Sequence, residues 1–185
     1  AVLALAQIGT SSDSAAMNLA TASLVGTLGA TLDDIQMATT LFSLIAGAFM
    51  IAGGLVGVTI GLHRALAMGL SLAVAGEMVA ALSPNIFAFT WGGRVIMGLG
   101  ACLITPSVLG LVAALYQGRQ RAIAFGTIAG AAALSTLSPL ALGIVMDSSG
   151  FRLTFAIMAI YFVLVLCCTR LIPRTPLSGN HSHFD

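Results

Sequence analysis

Long apolar runs separated by short polar breaks make up almost the whole chain. The breaks "GATLDD", "GLHRA", "SPN", "YQGRQR", "DSSGF" and "RLIPR" leave six runs, near residues 3–27, 36–60, 65–83, 87–115, 122–146 and 152–171. Roughly 20 apolar residues carry a helix across a hydrocarbon core about 30 Å thick. The pattern therefore predicts an all-α membrane protein with six transmembrane helices over 1–174. The breaks are short enough to make sequential neighbours antiparallel. The remaining stretch, 175–185 ("TPLSGNHSHFD"), is polar, contains Pro176 and has no periodicity. It reads as a cytoplasmic tail or the start of a linker.

Composition agrees with lipid as the solvent. Hydrophobic residues make up 58% of the 185 positions and charged residues 7%, against roughly 25% charged in a soluble domain. Mean hydropathy is +1.06. The net charge is +1, too small for a basic nucleic-acid-binding surface. Cys102, Cys167 and Cys168 sit in apolar segments with no disulfide or metal spacing and read as small hydrophobes. His181 and His183 lie in the tail and read as solubilising residues, so neither a metal nor another cofactor is expected. No basic stretch and cleavage site open the chain, so no signal peptide is expected. A chain beginning on Ala1 inside an apolar run reads as a piece of a longer protein.

Arginine placement orients the bundle, because positively charged loops stay cytoplasmic. With both ends inside, Arg64, Arg119, Arg121, Arg170 and Arg174 fall on the cytoplasmic side, while Arg152, Asp33, Asp34 and Asp147 fall outside. Gly53, Gly57 and Gly61 recur every four residues, as do Gly126 and Gly130. Small residues at this spacing let membrane helices approach closely, so both sets are expected at helix contacts.

Three ionisable residues lie deep in the runs: Asp13, Glu77 and Arg94. Each costs about 2.5–3.5 kcal/mol at the centre of a helix on insertion scales, so each should find a partner or a wet cavity. Either a transport pathway or a structural polar lock would satisfy them. The band "SSDSAAMNLA" adds Ser11, Ser12, Ser14 and Asn18 around Asp13, near the middle of its run. Asp13 and Asn18, five apart, do not share one strict face, but both could border a cavity. Glu77 and Arg94 lie about seven and eight residues from the outer ends of their runs, at similar depth given 1.5 Å per residue. They could pair, or Glu77 could be protonated between helices. Arg94 is expected to reach Asp13 across a cavity rather than by a direct bond. Pro106 and Pro139 interrupt the fourth and fifth runs and permit bends.

Taken in order, several stretches resemble the major facilitator superfamily, in its fourteen-span drug:proton antiporter branch. "DSAAMNLA" (13–20) is similar to the branch's L-D-x-T-V-V-N-V-A-L-P signature at Asp13, Asn18 and Ala20. "RVIMGLGA" (94–101) resembles the fourth-span R-x-x-Q-G-x-G-A motif at Arg94, Gly98, Gly100 and Ala101, with Met97 in place of Gln and Pro106 following. "SPLALG" (138–143) resembles a worn G-P-x-x-G-G antiporter motif, keeping Pro139 and Gly143. "GFRLTF" (150–155) is similar to the Gly-Trp-Arg-x-x-Phe entry to the sixth span. The loop motif G-x-x-x-D-R-x-G-R-R is eroded in "GLVGVTIGLH" before Arg64: Gly54 and Gly61 remain, Val58 and Thr59 replace Asp-Arg, and Leu62 and His63 replace the basic pair. In the family this loop is held to lock a gate through charges, so the departure puts that latch in doubt.

The resemblance implies the N-terminal six-helix half of a proton-coupled secondary transporter, an efflux antiporter of small cationic or lipophilic molecules in the plasma (inner) membrane. It also implies a second half of six or eight spans, or a second copy. Asp13 and Arg94 would couple protons and substrate, with Arg94 facing a water-filled central cavity; Asn18 and Glu77 would line the cavity or form a polar lock; Pro106, Pro139 and Gly143 would serve bending and gating. A metabolite facilitator or symporter, or a non-transporting remnant or assembly subunit, remains as an alternative. An intramembrane enzyme is disfavoured: His63 lies in a loop, no serine nucleophile motif occurs, and the carboxylates form no protease-like pair.

Overall fold

A computed structural model of the chain describes residues 1–171, side chains at 136, 139–142, 145–149 and 171 excepted. Helices succeed one another with almost no connecting chain: α1 (Val2–Leu28), α2 (Leu32–Ala48), α3 (Met50–Ile60), α4 (Leu62–Leu82), a π-helical turn (Ala88–Arg94), α5 (Val95–Leu115), α6 (Gly118–Leu134), a 3-10 turn (Ser135–Leu137) and α7 (Ser138–Cys168), with a closing 3-10 turn (Thr169–Leu171). Among the described residues there is no β-strand. The tail, with His181 and His183, lies outside the described residues.

The helix boundaries depart from the apolar runs for local reasons. Helix α2 starts at Leu32 rather than at 36 because Thr31 and Asp34 form a reciprocal cap. The Asp34 N–H donates to Thr31 Oγ1 at 3.2 Å, and the Thr31 N–H donates to Asp34 Oδ2 at 2.9 Å. Asp33 and Asp34 thus occupy a first helical turn, where the helix dipole favours negative charge. The expected "GLHRA" loop contracts to Gly61 alone. Its φ of 96° and ψ of 133° are open to glycine and strained for other residues, so His63 and Arg64 belong to the first turn of α4. Gly150 (φ 75°, ψ 178°) likewise divides α7 into limbs 138–149 and Gly150–Cys168.

The 36–60 run is not straight: α2 and α3 meet at a 47° bend around Phe49. The 122–146 run is broken at Ser135–Leu137, ahead of Pro139. That proline sits in the first turn of α7, where its missing N–H removes no helical hydrogen bond. Pro106 lies inside α5 without ending it. Among the described residues, three helices are long and apolar enough to cross a membrane: Leu62–Leu82, Ala88–Leu115 and Gly150–Cys168. The bent α2–α3 pair would make a fourth. Helix α1 has the length, but its polar band dilutes its hydropathy.

Packing follows the small residues. Helix α4 lies antiparallel on the π turn and α5. A Cβ on Gly76 would stand 2.7 Å from Met97 N and 2.9 Å from Gly93 O, and one on Gly69 2.9 Å from Gly100 O. Gly53 abuts the Cys102 carbonyl, and Gly57 faces the Leu62 side chain at 3.1 Å. The second limb of α7 runs antiparallel to both α1 and α4. At one end Ser23 Oγ accepts from Phe151 N–H (3.1 Å) and Arg152 donates to the Ser83 carbonyl (3.1 Å). At the other end Tyr161 donates to the Leu5 carbonyl (2.7 Å) and His63 Nε2 donates to the Thr169 carbonyl (2.8 Å). Two apolar clusters result. One contains Leu66, Leu70, Met97, Ile104 and Phe162. The other contains Met17, Leu24, Phe89, Phe151 and Phe155, its three rings edge-on at centroid distances of 5.4, 6.1 and 6.4 Å.

The glycine expectation divides accordingly. Gly53 and Gly57 serve close packing and Gly61 serves a turn. Gly126 and Gly130 have open space where a Cβ would stand, because α6 turns that face away from the rest of the bundle. In this chain, Gly76→Ala should therefore cost about 1–3 kcal/mol through overpacking against backbone, whereas Gly126→Ala should cost nothing. Thermal denaturation in detergent checks this, and equal losses at the two sites would contradict the packing described.

Candidate functional site: a buried ion pair beside a polar cleft

Asp13 on α1 and Arg94 at the end of the π turn meet directly. Arg94 Nη1 donates to Asp13 Oδ1 at 2.7 Å and Nη2 to Oδ2 at 3.0 Å. This two-pronged pair is buried, with 1% exposure for Arg94 and 0% for Asp13. The parallel donors of a guanidinium match a carboxylate edge, and the alignment is what makes such a pair tolerable away from water. The Phe42 ring of α2 lies under the guanidinium, 4.5 Å from its carbon to the ring centroid, where the negative ring face adds attraction.

Two expectations are thereby corrected. Asp13 does not sense Arg94 across a cavity; the carboxylate and guanidinium are in contact. Nor does Arg94 face a water-filled cavity, since packing of α1, α2 and α4 around the π turn covers it. Of the two alternatives left open for Glu77, the pair with Arg94 does not form, because Asp13 takes both terminal guanidinium nitrogens.

Glu77 nonetheless belongs to the site. Its side chain is 1% exposed, and neither carboxyl oxygen has a hydrogen-bond partner. Arg94 Nε is also buried without an acceptor. The three ionisable groups occupy the seam between the two apolar clusters. On α1, Ala6 belongs to one cluster and Met17 to the other; on α4 the corresponding residues are Ala73 and Ala80; around Arg94 they are Met97 and Phe89.

The polar band of α1 splits between two faces. Asp13 and Ser12 are buried, while Ser11, Ser14 and Asn18 line a cleft of about 630 Å³ with Ala132 and Ser135 of the α6 side. Asn18 thus borders a cavity, and Asp13 does not, one helix face away. Pro139 begins a helix rather than bending one, and Gly143 has open space around it. In the eroded loop motif, Gly54 packs beside Pro106, with 3.7 Å between its Cβ position and the proline Cβ. Arg64 is exposed. The His63–Thr169 hydrogen bond now joins elements at that end of the bundle.

Sequence reasoning missed Phe42 beneath Arg94, the π turn that sets the direction of Arg94, and Ser135 in the cleft. Gly76 and Gly93, which let α4 and the π turn approach, offered a sequence signal in their small size. Phe42 offered none, being one phenylalanine in an apolar run.

The comparisons with known proteins fit this arrangement. The family model described as Major Facilitator Superfamily matches residues 3–184. The Methylenomycin A resistance protein of Bacillus subtilis is 30% identical over 178 residues, which is 95% of this chain and 38% of that protein. The riboflavin transporter RibZ of Clostridioides difficile is 22% identical over 94% of this chain and 38% of its own length. The chain thus spans well under half the length of these relatives. A crystal structure of the peptide transporter POT in complex with sulfate superposes with a TM-score of 0.82 at 20% identity, over 92% of this chain and 36% of that one, a likeness of fold. With a family model matched over nearly all its residues, the chain belongs to the Major Facilitator Superfamily.

Proposed function

We propose that the chain is the N-terminal half of a proton-coupled secondary transporter that exports small cationic or lipophilic molecules by alternating access. In this reading it crosses the membrane six times with both ends cytoplasmic, the short α6 and the first limb of α7 together making the fifth crossing. The observation that carries the reading is the buried Asp13–Arg94 pair beside the cleft bordered by Ser11, Ser14 and Asn18. A proton arriving at Asp13 cancels its charge and weakens its grip on Arg94, loosening α1 from α5. Ligand in the cleft touches the same helix from its other face, so proton and substrate act on one element. Similarity to a resistance protein supports export. Similarity to a riboflavin transporter supports a second reading, a metabolite carrier of the same architecture.

In the full-length transporter, Asp13→Asn should abolish pH-gradient-driven flux while leaving membrane insertion intact, and Asp13→Glu should retain part of it because a titratable group survives. Flux assays in proteoliposomes with an imposed gradient check this. Unchanged gradient dependence in Asp13→Asn would reduce Asp13 to a packing residue. The pair itself is open to a stability cycle. Arg94→Gln leaves Asp13 without its two donors and should cost about 3 kcal/mol, the scale for breaking a buried pair by removing one partner. Adding Asp13→Asn to that variant should restore part of the loss. Strictly additive thermal-stability losses would mean that the pair does not lock α1 to α5.

A further inference from the structure

Cations gather at one end of the bundle with no acid to meet them. The chain has six acidic residues. Asp13 and Glu77 are buried in the seam, and Asp33 and Asp34 open α2, at the far end of the α2–α3 run from the start of α4. The side chains of Asp147 and Asp185 lie outside the described residues. Where α4 starts and α7 closes stand Arg64, in the first turn of α4, and Arg170, in the closing 3-10 turn, both exposed. Among the described residues neither guanidinium has a hydrogen bond or an ion pair.

What brings these two cations together is an uncharged acceptor. His63 Nε2 donates to the Thr169 carbonyl at 2.8 Å, across 106 positions of sequence, and Arg64 and Arg170 directly follow the bonded residues. The helix dipole favours Arg170 at the end of α7. It disfavours Arg64 at the start of α4, where no side chain caps the helix. Two like charges held on adjoining elements repel until an anion meets both. Beyond the cations the exposed surface turns apolar. Met68 lies one turn after Arg64 on α4, and Ile160, Leu164 and Cys167 recur at helical spacing on α7 ahead of Arg170. At 1.5 Å per residue, Ile160 stands about 15 Å from Arg170, half of a hydrocarbon core about 30 Å thick.

We propose that Arg64 and Arg170 bind the phosphate of an anionic phospholipid, whose acyl chains lie along Met68 of α4 and Leu164 and Ile160 of α7. The planar donors of a guanidinium suit a phosphate. A free phosphate would use the cations alone, whereas the apolar stripes below them match one leaflet of acyl chain. His63 is a positioning residue, holding the two arginines at one level through Thr169. The other exposed arginines of this end belong elsewhere. Arg121 is engaged at the Tyr116 and Ala113 carbonyls (2.9 and 2.6 Å), and Arg119 stands on α6, which packs chiefly on α1. In the orientation proposed above the site opens to the cytoplasmic leaflet, where anionic lipids give a negative surface. The site itself depends neither on that orientation nor on transport.

The test is native mass spectrometry of the full-length transporter in detergent with equal amounts of phosphatidylglycerol and phosphatidylcholine. The wild type should retain phosphatidylglycerol in preference. Arg64→Gln and Arg170→Gln should each weaken that retention about fivefold, and together about 25-fold, on the scale of one basic residue near an anionic surface. Arg119→Gln, which removes the same charge from the same end, should leave it unchanged. His63→Leu should weaken it with every arginine in place, and His63→Gln, which keeps an N–H donor, should recover most of it. Equal retention of the two lipids, or unchanged retention in the double arginine variant, overturns the proposal. An equal loss in Arg119→Gln overturns it too, by reducing the site to a diffuse positive surface. Excess inorganic phosphate should leave the lipid bound; displacement would make the occupant a free phosphate and overturn the lipid assignment. Unchanged retention in His63→Leu overturns the positioning role.

Discussion

A guanidinium placed in an apolar bundle constrains everything around it. Arg94 must be met by a carboxylate with matching geometry, and the two must be kept from water with their facing atoms paired. The surrounding structure can be derived from that demand. Asp13 lies at the level of Arg94 on an antiparallel helix, and Phe42 closes the guanidinium face. Small residues on α4 and the π turn bring the fourth wall within contact distance. The apolar core is divided into two clusters because a charged layer passes between them. In lipid, where burying apolar surface does not distinguish one helix partner from another, such a layer gives the bundle its register.

The general architecture was legible in the sequence because lipid imposes a coarse rule on length and polarity. Each of the six apolar runs corresponds to helical backbone, and the breaks at 61 and 150 were visible as polar punctuation. The capping of α2 by Thr31 and Asp34 was equally readable in type, although the apolar pattern placed the helix start four residues late. The bend at Phe49 was not readable: no proline, glycine pair or charge marks it. Pro106 and Pro139, which do mark bends by rule, lie respectively inside a continuous helix and in the first turn of a new one.

The site was legible as a list and illegible as a geometry. Sequence alone identifies Asp13, Glu77 and Arg94 as costly and therefore in need of partners. Which of two carboxylates takes the arginine depends on helix rotation, and hydropathy carries little rotational information in a chain apolar on all sides. The polar band of α1 shows the same limit, since Asp13 and Asn18 are five residues apart and end on different faces, one in the seam and one in the cleft.

The π turn at Ala88–Arg94 has a consequence for the whole helix that follows it. A turn closed one residue wider than an α-helical turn delays the winding by one residue, about 100° of rotation. Ile86 before the turn, packed against one cluster, and Met97 after it, in the other, therefore present different azimuths than an unbroken helix would give them. One continuous rod can thus be keyed to two cores whose natural phases disagree, with the mismatch taken up where Arg94 leaves the axis. The turn acts as a vernier between the two halves of the rod.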